Sequence, residues 1–293
     1  MRETFLTTVE EIVDADPDVA VVLAEISAAR LAEAARRHPD RVVNVGIREQ
    51  LLVSTGAGFA LAGLRPIVHT FNAFLVERAF EQIKLDLVHQ DVGAVLVSYG
   101  ASYDMPAEGR THQAPGDVAL IDSLPCWYVH VPGHPAEAKR LLLDSVPGDS
   151  RVYLRLSADQ NAEAHLGVGF QRLRTGSRGV VLAVGPMLDR VLAATRDLDV
   201  TVLYASTVRP FDAAGLRAAV GEPADVVLVE PYLTGTSAHQ VSEALADIPH
   251  RLLSLGTRRD SEVRTYGTRA DHDLAHGLDA GSIALSLKGF LRG

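Results

Sequence analysis

Three short stretches gather the side chains of this chain that could do chemistry, and each stands where an apolar run gives way to polar residues. The first is Val45-Gly46-Ile47-Arg48-Glu49-Gln50. Its spacing places Glu49 in the first turn of a helix, where a carboxylate gains roughly 0.3–1 kcal/mol from the positive helix end; the alternative is a carboxyl group aimed at a ligand nitrogen. The second is His69-Thr70-Phe71-Asn72-Ala73-Phe74. Phe71 and Phe74 share a helical face, either as core or as an apolar wall for a flat heteroaromatic ring. The third is the loop 98–118, SYGASYDMPAEGRTHQAPGDV, whose second half crowds Glu108, Arg110, Thr111, His112 and Gln113. Loops of this length in compact domains are usually functional or mobile. A histidine on one can serve as an acid or base near neutral pH.

Other chemistries lack their residues. No glycine-rich phosphate loop stands between a strand and a helix, no His/Cys cluster has metal-ligand spacing, and no GxSxG turn is present. The glycines of GAGFALAG (56–63) lie inside an apolar helical stretch and read as close-packing positions.

The elements that must position these residues alternate. Apolar runs at 19–26, 41–46, 65–71, 93–100, 127–132 and 151–156 have the unbroken character of strands covered on both faces. Helical stretches at 28–37, 48–62, 73–89 and 135–144 separate them. This is the pattern of βαβ units and a mainly parallel sheet. Residues 157–178 break the rhythm, and a second, smaller α/β alternation follows. Two consecutive α/β domains are expected, 1–160 and 161–293.

The 293 residues suffice for two domains with real cores, at 47% hydrophobic and 22% charged. A formal charge of −9 argues against nucleic acid or an anionic membrane as partner. No apolar run approaches the ~20 residues of a membrane span, and MRETFLTTVEEIV does not have the form of a signal peptide. The single cysteine, Cys126, cannot form an internal disulfide; it reads as a small core residue of a protein in the reducing cytoplasm.

The three constellations occur together and in order, and so resemble the transketolase family. GIREQ is similar to the family's GI-x-EQ, GFALAGLRPIVHTFNAF to G-x-A-x-x-G-x-x-P-x-x-x-T-F-x-x-F, and EGRTHQ to DGPTHQ; RVYLRLS resembles the strand that closes the pyrimidine domain. LAVGPMLDRVLAA, VLYASTVRPFD, VLVEPYLTG and the HGLD of 276–279 resemble the family's C-terminal domain. The resemblance implies a thiamine-diphosphate pyrimidine-binding domain followed by a transketolase C-terminal domain, transferring a two-carbon ketol unit. It implies that Glu49 bonds the pyrimidine nitrogen and so activates the cofactor, that Phe71 and Phe74 pack on the pyrimidine, and that His112 faces the reacting centre, with Gln113 beside it in the cofactor site. Arg2, Glu108, Arg110 and His112 fall at positions expected to meet substrate.

The family's Mg²⁺ and diphosphate are held by a GDG…N segment, and no GDG occurs in this chain. The resemblance therefore implies an N-terminal diphosphate-binding partner subunit that ligates the Mg²⁺, no metal ligands here, and an α2β2 heterotetramer. Three positions depart from the family's phosphate grip: Gly100 stands for a histidine, Ala29 for a serine and Ala158 for an arginine. In the loop motif Glu108 replaces aspartate and Arg110 replaces proline. A small-molecule sugar or ketol substrate with an altered donor or acceptor is expected, phosphorylated and unphosphorylated forms both remaining open. The competing readings are the beta subunit of a 2-oxoacid dehydrogenase decarboxylase, a 1-deoxyxylulose-phosphate synthase-like enzyme, and a non-catalytic assembly subunit.

Overall fold

The computed structural model describes residues 1–292. The first half comprises α1 (Arg2–Ala15), β1 (Val19–Leu23), α2 (Ala32–Arg37), β2 (Val42–Asn44), α3 (Glu49–Leu61), β3 (Arg65–Phe71), α4 (Phe80–Gln82), β4 (Val95–Tyr99), α5 (Asp117–Asp122), β5 (Trp127–His130), α6 (Pro135–Ser145) and β6 (Arg151–Leu156). The second comprises β7 (Gln171–Arg174), β8 (Val180–Val184), α7 (Leu188–Ala194), β9 (Thr201–Ala205), β10 (Thr207–Arg209), α8 (Ala213–Arg217), β11 (Ala224–Leu233), α9 (Ala238–Ala244), β12 (His250–Thr257), α10 (Arg269–His276) and α11 (Ala280–Arg292). Two α/β domains with mainly parallel sheets are present, as the alternation of apolar runs implies.

The first sheet runs β10-β5-β6-β4-β3-β1-β2, all parallel except β10. From β1 the chain moves outward to β2, then returns to place β3 on the other side of β1 and continues to β4. The strand order thus reverses between β1 and β3, and the crevice outside their carboxyl ends is where open α/β sheets bind ligands. Glu49, Phe71 and His112 lie at the end of β3 or in the segments that follow β2 and β4. Every residue of β1 is buried, which explains its lack of alternation.

Helix α3 lies on β3 and β1, with Leu52, Val53, Gly56 and Ala57 buried. A Cβ on Gly56 would stand 2.6 Å from Val68 Cγ2, so this glycine is a close-packing position. Gly58 has open space around it, and Gly63 (φ +89°) supplies the left-handed turn beyond the helix end. One of the three glycines, not all, serves packing. The stretch 73–89, expected as one α-helix, is wound as π-helical Ala73–Arg78, the short α4, and π-helical Ile83–His89. Such wide turns recur at functional sites.

The second sheet runs β12-β11-β8-β9-β7, with only β7 antiparallel. That edge strand, QRLR, sits within the polar stretch that breaks the alternation. After β9 the chain crosses back, and β10 pairs antiparallel with β5, Thr207 opposite His130. Val129, Val131, Val184, Ala205 and Tyr232 belong to one apolar cluster spanning both sheets. Cys126 is a correction: it is exposed, with φ +61°, in the turn entering β5, rather than in the core. No helix among the described residues is long and apolar enough to cross a membrane.

Candidate active site

Glu49 is the first residue of α3 and only 1% exposed. Its carboxylate has one charged partner: Arg78 Nη1 donates to Glu49 Oε2 at 2.7 Å. The same guanidinium lies 4.0 Å over the Phe74 ring, a cation–π contact. Phe74 meets His112 edge-on, with ring centroids 4.9 Å apart, and Phe71 meets His112 at 5.7 Å. The two phenylalanines are 6.0 Å apart and nearly perpendicular. His112 is therefore held between two rings contributed by the end of β3 and the first π-helical turn, and Arg78 ties that cluster to Glu49.

Thr111 Oγ1 lies 3.0 Å from His112 Nδ1 and 3.3 Å from the Glu108 carbonyl. A hydroxyl has one proton. If it donates to the carbonyl, Nδ1–H donates to it and Nε2 is the free base; if it donates to Nδ1, Nε2 carries the proton. In both cases Thr111 holds the Nδ1 side and leaves Nε2 for a substrate atom.

On the other flank Phe71 contacts Tyr99 at 6.3 Å, and the Arg2 guanidinium lies 5.2 Å from the Tyr99 ring centre. Arg2 Nε and Nη2 donate to Ser27 Oγ at 3.3 and 3.1 Å. Ser27 Oγ lies 3.1 Å from His69 Nε2, and His69 Nδ1 is 2.9 Å from the Val97 carbonyl. A carbonyl only accepts, so Nδ1 carries the proton and Ser27 donates to Nε2. Burial pushes the His69 pKa down to about 4, the Val97 bond opposes that, and Arg2 adds to it. The ring is neutral, and the polar spine Arg2–Ser27–His69–Val97 anchors the floor of the crevice. Ser27 and His69 were missed as site residues by reasoning from the sequence; the signal that could have found them is a polar residue at a strand end, in loop 25–31 and in β3.

The remaining residues fall elsewhere. Glu108 is exposed on the loop, and Arg110, also exposed, has its Nε 3.3 Å from Glu262 and donates Nη1 to the Gln113 carbonyl. Gln113 is buried but lines an interdomain cleft away from the phenylalanines. At Gly100 (φ +81°) an added Cβ would collide with Met105 Cε. The Met105 tip fills the space that a side chain at 100 would occupy. Ala29 and Ala158 are exposed and offer no hydrogen-bonding side chain. Among the described residues no group of three or more His, Cys, Asp or Glu is arranged to hold a metal ion.

Residues 1–162 match the family model "Transketolase, pyrimidine binding domain", and residues 169–260 match "Transketolase, C-terminal domain". The chain is 58% identical, over 99% of its length and 95% of the relative's, to an uncharacterized 33.6 kDa protein in the fasciation locus of Rhodococcoides fascians. It is 30% identical to an apulose-4-phosphate transketolase subunit of Actinobacillus succinogenes, covering 98% of this chain and 96% of that one. It is 31% identical to 1-deoxy-D-xylulose-5-phosphate synthase of Thioalkalivibrio sulfidiphilus over 95% of this chain, spanning only 45% of that enzyme. Among solved structures, a split gene transketolase described as an inactive beta4 tetramer superposes with TM-score 0.84 at 24% identity, covering 99% of this chain and 98% of the other. A transketolase from Leishmania mexicana gives 0.79 at 19% identity, over 99% of this chain and 45% of that one.

Proposed function

This chain belongs to the transketolase family, and we propose that it is the pyrimidine-binding subunit of a split, thiamine-diphosphate-dependent transketolase. The observation that carries this reading is the continuous arrangement of buried Glu49, Arg78, Phe74, His112 and Phe71 at the strand-order switch. A flat, nitrogen-bearing pyrimidine needs an apolar wall and one carboxyl group, and these residues fit it. Bound there, thiamine diphosphate supplies the nucleophilic carbon and electron sink for breaking and remaking a carbon–carbon bond beside a carbonyl. Glu49 shares a proton with the pyrimidine nitrogen. Phe71 and Phe74 pack on the ring and exclude water. His112 Nε2 gives or takes the proton of a substrate oxygen.

The diphosphate and Mg²⁺ are assigned to a partner chain, in a two-fold α2β2 cytoplasmic assembly. Exposed apolar residues flank Glu49 in the chain: Ile47 is 72% exposed and Leu51 46%. A patch of this kind favours a covered face in the assembly. With Gly100, Ala29 and Ala158 in place of phosphate-gripping residues, the substrate is a ketose or ketol without a phosphate group. The test is co-expression with a diphosphate-binding chain. Glu49→Ala should leave the complex assembled and abolish two-carbon transfer. Unchanged turnover in that variant refutes the reading, and release of CO2 from pyruvate as donor points instead to the synthase-like activity.

A further inference from the structure

Between the His112 loop and the second domain lies a cleft of about 450 Å³, walled by Tyr103, Arg110 and Gln113 on one side and Thr257, Arg259 and His276 on the other. The loop divides two neighbours: His112 faces Phe71 and Phe74, while Gln113 faces this cleft. The cleft is thus distinct from the aromatic crevice.

Its polar groups are left without partners in a consistent way. Thr257 is 4% exposed, and its hydroxyl has no hydrogen-bond partner. Gln113 is 7% exposed, and its hydrogen bonds all run through the backbone, leaving the side-chain amide free. Buried polar groups are nearly always satisfied, so the Thr257 hydroxyl calls for a partner, and the Gln113 amide stands unpaired at the cleft wall beside it. His276 Nδ1 accepts from the Arg258 backbone N–H at 3.3 Å. Burial, then His272 and Arg258, push its pKa down to about 4; the neutral ring therefore carries its proton on Nε2 as a donor.

The charges also leave a remainder. Arg110 is paired with Glu262 and Arg258 with Asp260. Arg259 donates Nε to the Thr234 carbonyl at 2.6 Å and has no ion pair among the described residues. Three guanidinium groups therefore face two carboxylates, and both carboxylates are engaged. The free groups are donors, and the surplus charge is positive.

We propose that this cleft is a second binding site, for a small-molecule oxyanion held by Arg259, Thr257, His276 and Gln113. Carboxylates and phosphates share the required chemistry, as both accept from a guanidinium fork and from neutral donors.

The test is calorimetric titration of the full chain with inorganic phosphate and, separately, with malonate at constant ionic strength. One site per chain is expected for at least one of the two; phosphate alone assigns the phosphate class and malonate alone the carboxylate class. Arg259→Gln, at an exposed position, should keep its melting temperature and lose at least about tenfold in affinity. Thr257→Val, of nearly the same shape, should lose about threefold. Absence of saturable binding by both anions, or equal affinity in Arg259→Gln and the parent chain, overturns the proposal.

Discussion

Arg78 and Glu49, 29 positions apart in sequence, form an ion pair of 2.7 Å in which the carboxylate is 2% and the guanidinium side chain 40% exposed. The asymmetry matters. Removing the buried partner leaves a solvated arginine, which costs little; removing Arg78 leaves a buried carboxylate without its donor. Arg78→Met should therefore destabilise the chain by about 1–3 kcal/mol, whereas adding Glu49→Gln to it should recover much of that loss. Chemical denaturation of the two single variants and the double variant measures the coupling. Simple additivity would show that the pair contributes nothing to the fold.

The two glycines of α3 should respond oppositely to alanine. At Gly56 the new Cβ meets Val68 Cγ2 at 2.6 Å, so the helix or Val68 must shift, at a cost of about 1–3 kcal/mol. At Gly58 nothing lies within 4 Å, and alanine should stabilise the helix by about 0.5–1 kcal/mol. Thermal melting of the isolated chain distinguishes them; a lower melting temperature for Gly58→Ala would contradict the packing described.

Stability should fall with acid through two buried histidines. Burial lowers both His69 and His130 to about 4, with Arg2 and Arg140 respectively adding to the effect. The unfolded chain, with histidines near 6.5, binds more protons than the folded one between those values. The stabilisation is thus complete above about pH 6.5 and is lost as pH falls towards 4, by up to roughly 3 kcal/mol per group. His130→Gln should flatten the dependence of melting temperature on pH in that window. Parallel curves for the variant and the parent would exclude His130 as a contributor.

Filling of the space beside Gly100 by Met105, and the alanines at 29 and 158, predict a weak response to substrate phosphate. The assembled enzyme should use an unphosphorylated ketose with kcat/KM no more than about tenfold below its phosphate ester, since a charge-assisted grip is missing. A preference for the ester above about a hundredfold would show that other residues bind it.

Much of this arrangement was legible in the residues. The strands β1 (VAVVL) and β4 (VLVSY) are almost wholly apolar, and burial on both faces leaves that mark. Glu49, Phe71, Phe74 and His112 stand where strand meets helix or loop, so their convergence follows once the strand order reverses beside β1. Arg78 was not legible, because its pairing with Glu49 spans two elements and leaves no local pattern. Neither was the antiparallel strand β10: three residues cannot show a period, and its place depends on β5 in the other domain. Gln113 and His112 are adjacent in the loop, yet tertiary packing sends their side chains to different cavities. Cys126 looks apolar in composition, but the left-handed turn before β5 puts it at the surface.

The most direct measurement is calorimetric titration of thiamine diphosphate with Mg²⁺ into this chain alone, into its complex with a diphosphate-binding chain, and into the complex carrying Glu49→Ala. Saturable binding by the complex, absent from the isolated chain and weakened at least about tenfold by Glu49→Ala, is the predicted result, since the carboxyl makes a charge-assisted bond to the ring. Equal binding by the complex with and without Glu49, or none by the complex, would contradict a shared site in which this chain supplies the activating acid.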